Sequence, residues 1–166
     1  MRRKKYPKEK PNVIPGTRKY YLAYGMNTNI ASMKNRCPQA QSLGLVNVPD
    51  HALVFRTHCD VIPELGSTLQ CVLWSITDQC EDSLDLLEGY PSYYNKKELT
   101  VQFQGRRVRA MIYYMQDREY QRMPSAAYFD MVRVGYQEHG LSTSALEKAL
   151  LQAYNYETRL ENLSIS

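Results

Sequence analysis

The chain has 166 residues, 43% of them apolar and 23% charged, with a formal net charge of +4. That is enough for one domain with a real core, and no apolar run is long enough to span a bilayer or to act as a signal peptide. Cys37, Cys59, Cys71 and Cys80 form no C-x-x-C pair and make no metal-ligand spacing with His51, His58 or His139. This argues against a zinc site or a disulfide framework and for a reducing, cytoplasmic setting.

The charge is unevenly distributed. Residues 1–19 hold eight Lys/Arg and one acid, Glu9, whereas residues 20–166 hold 13 Lys/Arg against 16 Asp/Glu, a net of −3. With Pro7, Pro11, Pro15 and Gly16 among the lysines, 1–19 reads as a basic tail. The body lacks the clustered positive charge of a phosphate-gripping domain, so nucleic acid is expected only through the tail, if at all.

Lys19–Tyr24 is β-rich and forms the first expected strand. It runs through Gly25-Met26-Asn27 into a short helix over 30–34, capped by Thr28 or Asn29. Such a turn leaves several N–H groups pointing one way, where a carboxylate or an oxyanion can sit. Residues 41–48 and 51–56 read as strands around a Pro49-Asp50 turn. Residues 59–62 read as a short strand and 69–76 as a buried one.

Thr77 then caps a helix in which Cys80, Leu84 and Leu87 make an apolar stripe. Gly89 stops it and Pro91 prevents its resumption. Glu88 lies in the last turn, beside Leu87 and near three tyrosines. Partial burial and the negative helix end both disfavour its ionised form. A carboxyl group with its pKa raised toward neutrality is a good proton shuttle.

Two strands follow over 97–103 and 108–114, turning at Gln104-Gly105, and then a polar loop over 116–124. Ser125 caps a helix over 125–136 carrying the stripe Tyr128, Met131, Gly135 and His139, stopped by Gly140. Ser144-Ala145-Leu146-Glu147 reads as a capping box opening a final helix. Its buried face is Ala145, Leu146, Ala149, Leu150 and Ala153, and residues 159–166 are expected to be a tail.

Three pieces in this order carry a resemblance: Leu22-Ala23-Tyr24-Gly25-Met26-Asn27, the Leu84–Tyr94 segment with Glu88-Gly89-Tyr90-Pro91, and Pro124-Ser125-Ala126-Ala127-Tyr128. Together they resemble the γ-glutamylcyclotransferase-like superfamily, including its AIG2-like members, over nearly everything from residue 20 to about 154, within a domain expected over 20–158. The resemblance implies an α+β fold, a mixed, mostly antiparallel sheet curled into a small barrel with flanking helices. It also implies cleavage of a γ-glutamyl amide to 5-oxoproline and a free amine, an acyltransferase or lyase type of reaction without metal or cofactor. In that reading Glu88 is the general acid/base. Tyr24, Gly25, Met26, Asn27, Tyr94 (rather than Tyr93) and Tyr128 form the substrate pocket, and a homodimer is allowed. Met26 stands where the family pattern has serine, so one hydroxyl is missing. A non-catalytic metabolite-binding protein on the same scaffold is therefore the second reading.

Overall fold

A computed structural model describes residues 18–116 and 119–165. The basic tail expected over 1–19 lies outside them except for Arg18 and Lys19. Both belong to the fold, Arg18 donating to the Ser75 carbonyl and Lys19 opening the first strand.

The elements are β1 (Lys19–Ala23), a 3-10 turn (Met26–Thr28), α1 (Ile30–Arg36), β2 (Gln41–Arg56), β3 (His58–Ile76), α2 (Asp78–Glu88), β4 (Asn95–Phe103), β5 (Arg106–Tyr114), α3 (Ala126–His139) and α4 (Ser144–Ile165). The five strands form one mixed sheet in the order β2-β3-β1-β5-β4. β1 is antiparallel to β3 and parallel to β5; the other pairings are hairpins. The sheet curls, bringing β2 near β4, but no ladder joins these two edges. The expected small barrel is thus an open, curled sheet. Its core includes Leu22, Phe55, Leu73, Ile76, Leu84, Ile112, Val132 and Leu146, all essentially inaccessible to solvent.

Local signals place the helix ends. Thr77 accepts from the Cys80 N–H, and Ser125 from the Tyr128 N–H. Asn29, not Thr28, caps α1, accepting from Ser32. Gly89 and Gly140 are left-handed at φ 63° and 70°, the conformation a helix stop of this kind requires. α4 opens at Ser144 itself, with the Glu147 N–H bonded to the Thr143 carbonyl. Ser144 therefore sits inside the first turn rather than capping it. Leu146, Ala149 and Ala153 form its buried face, with Ala145 and Leu150 half-buried, and the expected tail is helical through Ile165.

The hairpin of β2 and β3 differs from the sequence reading. Pro49-Asp50 is not a turn. Asp50, at φ 58°, lies at a bulge within one long strand, and opposite it Glu64–Ser67 loops out of β3. The Asp50 carboxylate accepts from the Gly66 N–H across this bulge. The true reversal is at Thr57, φ 69°, between the paired Arg56 and His58. Residues suited to turns also suit bulges, because both need one residue at positive φ.

A buried ion pair braces this hairpin tip. Arg56 Nε lies 2.8 Å from Asp60 Oδ2, and Asp60 Oδ1 accepts from the Val61 and Met115 N–H groups. All four cysteines are free and buried.

Candidate functional site

The end of β1, the tip of the β2–β3 hairpin, the end of α2 and the start of α3 enclose a cavity of about 200 Å³. All seven residues singled out in the sequence line it: Tyr24, Gly25, Met26, Asn27, Glu88, Tyr94 and Tyr128. Gly25 leaves little room for a side chain. A Cβ there would lie 3.0 Å from Cys59 Cβ and 3.3 Å from the Tyr128 hydroxyl. The following 3-10 turn uses the Gly25 and Met26 carbonyls for the Thr28 and Asn29 N–H groups. The Met26 and Asn27 N–H groups are then left without an acceptor inside the turn.

Glu88 ends α2 with its carboxyl in the cavity wall. Asn27, only 3% exposed, donates through Nδ2 to Glu88 Oε1 at 3.1 Å and to the Tyr21 hydroxyl at 3.0 Å. Its Oδ1 accepts from Arg36 at 2.6 Å. Burial raises the Glu88 pKa above the ordinary carboxylate value, while the Arg36 charge and the Asn27 hydrogen bond oppose that rise. Leu87, expected in the core stripe, is instead 54% exposed and lines the cavity with Met26. Cys80 and Leu84 carry the buried stripe.

The tyrosines divide by function. The Tyr24 hydroxyl donates to the Tyr113 carbonyl at 2.6 Å, and the Tyr24 carbonyl accepts from the Tyr136 hydroxyl at 2.7 Å. Tyr24 is a strut whose ring forms wall. Tyr94 and Tyr128 meet on the backbone of Cys59. Tyr94 donates to its carbonyl at 2.6 Å, and Tyr128 accepts its N–H at 3.0 Å. The Tyr128 proton remains to be given to the adjacent sulfur or to an occupant of the cavity. Burial holds both phenols well above their usual range and pushes the Cys59 thiol up to about 12.

Residues 21–130 match the family described as Gamma-glutamyl cyclotransferase, AIG2-like. The chain belongs to this family. Among solved structures, it is similar to an uncharacterized protein from Homo sapiens, with 25% identity and a TM-score of 0.70 over 80% of this chain and 86% of that one. It shares its fold with a structure named Gamma-glutamyl cyclotransferase, at 24% identity and TM-score 0.71, over 80% and 86% of the two chains. It also shares its fold with YkqA from Bacillus subtilis, at 20% identity and TM-score 0.71, covering 82% of this chain and 55% of that one. No curated protein matches the sequence.

Within this cyclotransferase-family scaffold the cavity holds further residues that the sequence reading did not select. Arg36 comes from α1, Tyr21 from β1, Tyr113 from β5, and His58 and Cys59 from the hairpin tip. His58 Nδ1 is 2.8 Å from the Tyr93 hydroxyl, and its ring packs edge-on against Tyr128 with centroids 5.0 Å apart. Burial lowers the His58 pKa, favouring neutral imidazole. Tyr93 and Tyr94 thus both line the cavity. Cys59, Asp60 and Val61 are consecutively buried at the hairpin tip, so no alternation in the sequence marks Cys59, and nothing local brings Arg36 to Asn27. Among the described residues no group of three or more His, Cys, Asp or Glu is arranged to hold a metal ion, and no helix is long and apolar enough to cross a membrane.

Proposed function

We propose that the chain cleaves a γ-glutamyl amide, releasing 5-oxoproline and a free amine. The α-amine of the glutamyl group attacks its own γ-carbonyl and closes a five-membered lactam. The carbon–nitrogen bond to the leaving amine breaks, and one proton passes from the attacking nitrogen to the departing one. No water is consumed. Attack within one molecule needs little besides correct folding of the substrate, so a shaped cavity supplies much of the rate.

The observation that carries this reading is the Glu88 carboxyl, set in the cavity wall with one oxygen hydrogen-bonded to Asn27 and its pKa raised by burial. Such a group accepts a proton from the attacking amine and returns it to the leaving amine at similar driving force. The Met26 and Asn27 N–H groups suit the tetrahedral oxyanion, and the Tyr128 hydroxyl is a further donor. A cavity of about 200 Å³ is small beside the roughly 300–1,000 Å³ that holds drug-sized ligands. It suits a glutamyl group inside and the amine portion at the mouth, against Met26 and Leu87.

Glu88→Gln tests the proposal in an assay for 5-oxoproline across a panel of γ-glutamyl amides. Product release is expected to disappear while the chain still folds. Normal turnover by the variant removes Glu88 from the reaction, and no 5-oxoproline from the unsubstituted chain across the panel overturns the cleavage itself.

Met26 motivates a second reading, a binding or sequestering protein without turnover. The side chain at this position lines the cavity without a hydroxyl, and one lost donor in such a site commonly costs about 2.7–4 kcal/mol of transition-state stabilisation. Calorimetry showing tight binding of a γ-glutamyl compound, with no 5-oxoproline formed, selects this reading.

A further inference from the structure

We infer that Arg36, in the last turn of α1, is a positioning residue for the Glu88 carboxyl and acts through the side chain of Asn27. The inference rests on the reading of Glu88 as the proton carrier. A side-chain amide can face a carboxyl group with either its NH₂ or its oxygen, and only the first is favourable toward a carboxylate. Guanidinium carries donors only, so the 2.6 Å contact from Arg36 to Asn27 Oδ1 fixes which way the amide faces. The NH₂ group is then committed to Glu88 Oε1 and Tyr21. Asn27 is almost wholly buried and cannot exchange these partners for water without opening the site.

Two consequences reach the reacting proton. First, Glu88 Oε1 is an occupied acceptor, so Oε2 is the oxygen left to take and return a proton. Second, the Arg36 charge opposes the effect of burial and keeps the ionised form available. The Asn27 hydrogen bond acts in the same direction, and its orientation is itself set by Arg36. The other titratable groups lining the cavity are Tyr21 from β1 and Tyr24 just after it, His58 and Cys59 from β3, Tyr93 and Tyr94 before β4, Tyr113 from β5 and Tyr128 from α3. Burial favours the neutral forms of Tyr21, His58, Cys59, Tyr94, Tyr113 and Tyr128. Among the described residues lining the cavity, Arg36 is the permanent cation.

Arg36→Met and Arg36→Lys, compared with the unsubstituted chain and Glu88→Gln, test the inference with two readouts. One is the pH titration of the Glu88 side-chain carboxyl by carbon NMR without substrate, and the other is kcat and KM for 5-oxoproline release. In Arg36→Met the Glu88 midpoint is expected to move up, and kcat to fall about ten- to a hundredfold at unchanged KM, the effect of losing one charge-assisted hydrogen bond. Arg36→Lys, which keeps the charge and one donor, is expected to recover part of both. An unmoved midpoint in folded Arg36→Met overturns the inference. Should that variant not fold, Arg36→Gln, which keeps a donor but not the charge, takes its place, and an unmoved Glu88 midpoint in it overturns the inference equally. Normal turnover by Glu88→Gln instead sinks the reading of Glu88 as the proton carrier, whereas the midpoint, read without turnover, separately decides whether Arg36 sets the state of the Glu88 carboxyl.

Discussion

Gly135 lies against Thr28 so closely that a Cβ on it would fall 2.2 Å from the Thr28 hydroxyl oxygen and 2.5 Å from the Asn29 backbone nitrogen. The middle of α3 thus presses directly on the turn that carries Met26 and Asn27. Gly135→Ala leaves no room, and the obstacle is largely backbone. Overpacking of this kind costs about 1–3 kcal/mol. Urea denaturation should show that loss, and the residual folded protein should have reduced turnover because the Asn27–Glu88 contact moves with the turn.

Asp60 is wholly buried and holds three partners: Arg56, and the N–H groups of Val61 and Met115. Arg56 is itself buried and also donates to the Tyr120 carbonyl. Asp60→Ala would leave the guanidinium without its counter-charge, a change that typically costs about 3–5 kcal/mol. Chemical denaturation measures it directly. A stability change below about 1 kcal/mol, the usual scale of an exposed pair, would show that Arg56 finds water at this tip.

Glu88→Gln carries a stability signature separate from its kinetics. The folded chain binds the Glu88 proton more tightly than the unfolded chain, because the pKa is raised from 4.5. Stability from this group is therefore complete below 4.5 and is lost as pH rises through the folded value. Glutamine has no such loss. The variant should match the unsubstituted chain at acid pH and exceed it at neutral pH in melting temperature, so long as the amide keeps the Asn27 contact.

Tyr128→Phe removes the acceptor of the buried Cys59 N–H. An orphaned buried donor costs about 1–3 kcal/mol, so thermal unfolding should shift down. For the proposed reaction the same change removes a donor from the cavity and should lower kcat. Tyr94→Phe deprives the Cys59 carbonyl instead. An effect on stability with turnover unchanged would mark that hydroxyl as a brace.

Much of this was legible because it is local. Thr77, Gly89, Ser125 and Gly140 mark helix ends through contacts within four residues, and these ends fall where expected. The three motif segments also meet around one cavity, as the resemblance implies. Long-range facts were hidden. The parallel pairing of Tyr20 with Ala110 joins segments ninety residues apart, and no hydrophobic pattern announces such a neighbour. Pro49-Asp50 carries the same residues whether the chain reverses or bulges. The last turns of α4 expose Leu160, Leu163 and Ile165, which blurs the one-sided pattern by which a helix is read. Arg36 looks like any basic residue closing a helix, and only the fold turns it back onto Asn27.

The seclusion of every sulfhydryl has a practical result. Burial pushes Cys37 and Cys59 up to about 12 and raises Cys71 as well, and each thiol of the chain lies beneath the surface. An alkylating reagent attacks only the thiolate, so it must wait for the structure to open. Labelling rate at neutral pH is then a stopwatch for unfolding. Cys59 touches the cavity, and an occupant that slows its modification more than that of Cys71 reports binding without any chromogenic substrate.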